Sequence, residues 1–105
     1  MNLDIIPAAL LTVGVPVSHY TTTKKPNKYI VWAEDGQADS VWAEGQMQDQ
    51  IVQGTIDYFT KTENDPNVNA IQDTLSNAEI SFRMNSVQYE DETKYIHFEW
   101  LFEVI

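Results

Sequence analysis

The twelve residues KYIHFEWLFEVI, from Lys94 onward, constrain the fold more than any other part of the 105-residue chain. Ile96, Phe98, Trp100, Phe102 and Val104 alternate with His97, Glu99, Leu101 and Glu103. A period of two is the repeat of an extended strand, whose successive side chains point to opposite faces. One apolar row backed by one mostly polar row belongs to an antiparallel sheet covered on one side. Just upstream, ISFRMNSVQY has the same form: Ile80, Phe82 and Met84 alternate with Ser81, Arg83 and Asn85. EDET joins the two strands as a hairpin tip with its charges in water.

The remaining segments supply the cover and the partner strands. NLDIIPAALLTVG reads as a short helix: Asp4 suits the N-cap better than Asn2, because Pro7 then falls in the first turn, and Gly14 ends it. VPVSHYTTTKKPN reads as a connector broken by Pro16 and Pro26. KYIVWAE, residues 28–34, is a strand with Tyr29, Val31 and Ala33 on one face and Ile30, Trp32 and Glu34 on the other. QIVQGTIDYFTK, residues 50–61, is another. There Val52, Ile56 and Tyr58 share a face, and Gly54 between them signals a bulge or the close approach of another backbone. Asp65 and Pro66 open a second helix whose Val68, Ile71, Leu75 and Ala78 form one stripe. The expected fold is α+β, a two-layer sandwich in the order α-β-β-α-β-β: an antiparallel four-stranded sheet with two helices on one face. Residues 1–105 make a single domain, with Ile96, Phe98, Trp100 and Phe102 under Ile71 and Leu75.

VWAE occurs twice, ten residues apart, within residues 30–49. That spacing is too short for the common stacked repeats. The first copy lies inside a strand and the second in a link rich in Gly and Gln, so the stretch reads as a hairpin arm at about 35–49. Trp42 and Met47 stand on it among polar residues. Trp42 either meets a partner or folds back over the edge of the core.

The formal net charge is −10, from 16 acidic and 6 basic residues, and the basic ones are scattered along the chain. Groove-type nucleic-acid binding requires Lys and Arg to displace counterions, so the composition argues against it. The chain has no cysteine, which removes disulfides, thiolate nucleophiles and Cys-ligated zinc together. No apolar run is long enough to span a bilayer. His97 and Glu99 share a strand face, but no third ligand accompanies them, and the cysteine pair of the zinc deaminases is missing. Ser18 and His19 lie in a connector with no orienting acid in view. DGQAD lacks the spacing of a calcium loop, and the chain contains no phosphate loop, dinucleotide fingerprint or nucleophile elbow. No cofactor or metal and no enzymatic activity are expected. A small hydrolase centred on His97 or His19 would need a pocket around one of them.

Three segments carry a family resemblance: KYIVWAEDG, QGTIDYFTKTENDPN and NSVQYEDETKYIHFEWLFEV. Together they resemble the tail terminator (tail-completion, minor capsid or head–tail joining) proteins of long-tailed bacteriophages and prophages. The likeness runs from the first helix through the last strand. It implies a structural protein that forms a ring, usually of six copies, on the end of the tail tube. The ring stops tube polymerisation and joins the tail to the head connector, while DNA passes through the lumen without specific binding. Its implied partners are other copies of itself, the major tail tube protein and a head-completion or connector protein, with no membrane. Its implied place is the virion neck, assembled in the host cytoplasm. The residues expected to meet partners are Trp32, Trp42, Met47, Tyr95 and Leu101, the last two on the uncovered sheet face beside Glu99. The competing expectation from charge alone is an acidic DNA mimic that inhibits a nucleic-acid enzyme, which needs its carboxylates along one elongated face.

Overall fold

The structure, a computed structural model, describes residues 2–37, 42–43, 46–47 and 51–104; of residues 37, 42, 43, 46 and 47 it describes the backbone alone. The elements run α1 (Ile5–Leu11), β1 (Val17–His19), β2 (Lys28–Gln37), β3 (Trp42–Ala43), β4 (Gln46–Met47), β5 (Val52–Thr60), α2 (Asn67–Asn77), β6 (Ser81–Tyr89) and β7 (Ile96–Val104). The molecule is α+β. Five strands form one mixed sheet in the order β1-β2-β5-β7-β6, and β3 and β4 pair separately. The expected four-stranded antiparallel sheet is therefore corrected in one respect: Val17–His19, read as connector, is a fifth strand, parallel to β2. The physical reason is its length. Three residues between Pro16 and a turn show no periodicity, and the pairing is fixed by contacts with β2, including the bond from Ile30 N–H to the Pro16 carbonyl, 2.8 Å.

Both helices lie on one face. Ile6, Ala9 and Leu10 of α1 and Ile71 and Leu75 of α2 share a buried cluster with Ile30, Trp32, Ile56, Tyr58, Trp100 and Phe102 of the sheet. β7 alternates as its sequence requires, but its cover is uneven: Trp100, Phe102 and Val104 are buried, whereas Ile96 and Phe98 are only half-buried. The expectation that Phe98 sits fully under the helices is corrected accordingly. Trp100 holds that place, and its Nε1 donates to Gln72 Oε1 at 3.0 Å.

The helix ends follow local chemistry. Asp4 occupies the N-cap position of α1, but the side-chain bond comes from Asn2, whose Oδ1 accepts the Asp4 N–H at 2.9 Å. Gly14, at φ +94°, turns the chain where a side chain would be strained. At α2, Asp65 Oδ1 accepts the Asn67 N–H at 2.9 Å, and Pro66 follows without a donor to satisfy.

Two irregularities shape the sheet. β2 shifts register between Glu34 and Gly36, opposite Gly54. A Cβ on Gly54 would run into the Ala33 carbonyl oxygen and stand 2.7 Å from both Glu34 Cα and Phe102 Cζ, so only glycine fits there. β6 shifts between Met84 and Ser86. The additional residue, Asn85, donates from Nδ2 to Glu99 Oε1 at 2.6 Å. Beyond that bulge Val87 and Tyr89 stand opposite Phe98 and Ile96, on the same face as Met84.

Candidate functional site

The uncovered face of the sheet carries a ladder of rings. Tyr29, Phe59 and His97 stand directly opposite one another on β2, β5 and β7. Tyr29 stacks on Phe59 at 4.6 Å between centroids, and Phe59 on His97 at 4.2 Å. Tyr95 meets Tyr29 and Phe59 edge-on, and Lys61 Nζ lies 4.8 Å above the Tyr95 ring. The Tyr95 hydroxyl reaches the Lys25 and Pro26 carbonyls at 2.8 and 2.6 Å and so fastens the connector to this face.

His97 is held by acids from two other elements. Its Nε2 is 2.7 Å from Asp57 Oδ1 on β5, and its Nδ1 is 3.7 Å from Glu90 Oε2 in the turn before β7. The hydrogen bond with Asp57 raises its pKa above the usual 6.5; burial opposes this, while the charges of Asp57, Glu90 and Glu99 add to it. A shallow groove of about 330 Å³ runs beside the pair, bordered by Tyr20, Thr22, Lys25 and Val31. His97 and Glu99 do not converge on a common point; the partners of His97 are Asp57 and Glu90. Among the described residues no three His, Cys, Asp or Glu side chains are placed to share a metal ion.

A second constellation is structural. The buried Asp65 accepts from Tyr58 Oη at 2.7 Å and Thr60 Oγ1 at 2.6 Å, with Lys28 Nζ at 3.4 Å. Burial pushes the carboxyl up, but the bonds from Thr60, Tyr58 and the Asn67 N–H outweigh it and hold the pKa below the usual range. Burial and the same carboxylate push the Tyr58 phenol up to about 12. This hub ties β5 to the start of α2. At the β1 edge, His19 stacks on Trp32 at 3.9 Å and on Tyr20 at 4.0 Å, and its Nε2 is 2.6 Å from Glu34 Oε1.

The residues expected to meet partners are placed apart. Trp32 and Tyr95 are 5% and 6% exposed, so both serve the protomer's own packing. Leu101 is half-buried on the uncovered face. Trp42 and Met47 pair backbone to backbone across β3 and β4, while their side chains and the rest of the arm lie outside the described residues. Among the described residues, the large apolar side chains that are exposed are Leu11, Tyr20, Met84, Val87 and Tyr89. Sequence reasoning missed these five, three of which follow one another along β6. The bulge at Asn85 hides the signal, because it breaks the alternation that would have put Met84, Val87 and Tyr89 in one row.

The basic residues, scattered in sequence, are gathered by the fold. Lys28 opens β2, Lys61 follows β5, Lys94 precedes β7, and Lys24 and Lys25 sit in the connector held by Tyr95. Only Arg83 is elsewhere. No protein-family model matches the chain, and no curated protein is significantly similar to it.

Proposed function

We propose that this protein is a structural assembly protein of a long-tailed phage or prophage particle: a ring, of six copies on the family resemblance, that caps the tail tube, ends its growth and joins it to the head connector. The observation that supports it is the β6 edge. β6 lies at the border of the sheet, nine residues long and, among the described residues, paired only with β7, and it exposes Met84, Val87 and Tyr89 by 37%, 53% and 58%. A long edge strand with an apolar row is a template for another chain unless something covers it. Its work in this reading is binding, without bond chemistry, and DNA crosses the lumen along an acidic wall that repels it.

The test is assembly as a function of salt, with and without purified tail tubes. Copies of charge −10 repel one another. Rings are therefore expected when the Debye length falls to about 8–10 Å or when tube ends supply a template. Light scattering and electron microscopy would follow both. A protein that stays monomeric at every ionic strength and leaves tube ends bare would overturn the reading.

A further inference from the structure

We infer that copies join through unlike edges of the sheet, β6 of one copy docking antiparallel against the β1 edge of the next; this rests on the ring-forming reading above and names its contact surface. Among the described residues, the exposed large apolar side chains divide between those two edges. Met84, Val87 and Tyr89 line β6, while Tyr20 directly follows β1 and Leu11 stands beside a recess at the β1 edge. The recess measures about 490 Å³, and Leu3, Pro7, Leu11, Val17 and Trp32 give it apolar walls. It opens on the helix-bearing side, the side to which Met84 and Val87 point.

Strand direction permits the joint. β2, β5, β7 and β6 alternate in direction, and β1 runs with β2, so the two border strands are antiparallel to each other. A rotation about an axis parallel to the strands then brings β6 of one copy against β1 of the next in antiparallel order, and repeating the rotation closes a ring. The heights agree. Across the sheet Val87 is level with Phe98, Tyr58, Ile30 and Val17, and Met84 with Trp100, Ile56, Trp32 and His19. Val87 of one copy therefore meets Val17 of its neighbour.

Charge identifies the occupant as a second copy. Arg83 is the single charge on β6, and it makes no ion pair among the described residues. Its level on the neighbour's β2 is Ala33, just before that strand bulges through the exposed Asp35. In a chain of charge −10, this is an edge that another copy can approach with attraction instead of repulsion.

The chain has no cysteine, so introduced pairs report without background. Under oxidation, the double variant Val17→Cys/Val87→Cys is expected to give a ladder of covalent oligomers, and either single variant none; opposed residues of antiparallel strands lie within disulfide reach. A covalent dimer from Val87→Cys alone would mean that like edges pair, and would overturn the inference. Leu11→Asp and Val87→Asp alter exposed positions, and circular dichroism confirms that each is folded. Each alone is expected to stay monomeric, and an equimolar mixture to stop at dimers with one intact joint. If wild-type protein forms rings but the mixture yields no dimer, the unlike-edge joint is wrong and the ring reading stands. If wild-type protein forms no ring on tube ends or in salt, both fall together.

Discussion

At the scale of single residues, His97 links the chemistry of the uncovered face to solution conditions. Its imidazolium can donate to Asp57 and attract Glu90 at once, whereas the neutral ring keeps one donor for two carboxylates. Because its folded pKa is raised above 6.5, the stabilisation is fully present below that value and is lost as pH rises through the raised one. Wild-type protein should therefore lose stability on going from about pH 6 to about pH 9, and His97→Gln should flatten that slope. Urea unfolding at a series of pH values measures both; an unchanged slope in the variant would refute the assignment. The sequence puts His97 and Glu99 on one strand face, and the structure agrees. Asp57, forty residues earlier, could not be anticipated, because its meeting with His97 depends on the register between β5 and β7. Nothing local encodes that register.

At the scale of elements, alternation and helical spacing made β7, β5, β2 and α2 legible, since each buries one face and its sequence repeats with the element's own period. β1 was not legible, because three residues are too few for a period to appear. Gly54 lay between these cases. Its position in an otherwise good strand implied a close backbone, and Ala33 and Glu34 supply it. Gly54→Ala should destabilise by about 1–3 kcal/mol or more, since the backbone of β2 would have to yield as well as the Phe102 ring. Thermal and urea unfolding test this. A loss near zero would mean that β2 can shift freely at its bulge. The arm expected at about 35–49 loses its first residues to β2, which runs on to Gln37, while β5 begins only at Val52; most of the arm lies outside the described residues.

For the whole molecule, the gathering of lysines gives the chain a polarity that its composition conceals. One end of the sheet holds Lys24, Lys25, Lys28, Lys61 and Lys94, together with acids such as Glu63, Glu90, Asp91 and Glu92. Among the described residues, Arg83 alone stands against the remaining acids, so most of their excess negative charge lies away from the lysine end. An acidic partner would meet the lysine end more readily than any other part of the surface.

The strand order also sets a timetable. β7 lies between β5 and β6, so the central ladder joins residues 36 apart at Thr60 and Ile96 and 52 apart at Val52 and Val104. The β6–β7 hairpin closes over a short turn and can form within microseconds, whereas the β5–β7 ladder must first meet the entropy of a long loop. Docking of β5 is then the slow step. Ile56→Ala, in the middle of β5, should slow refolding, which stopped-flow fluorescence of the tryptophans would measure. During that interval β7 is an apolar strand with one side still unpaired. The hairpin is thus open to a wrong strand for as long as β5 is late, and conditions that delay β5 should favour aggregation over assembly.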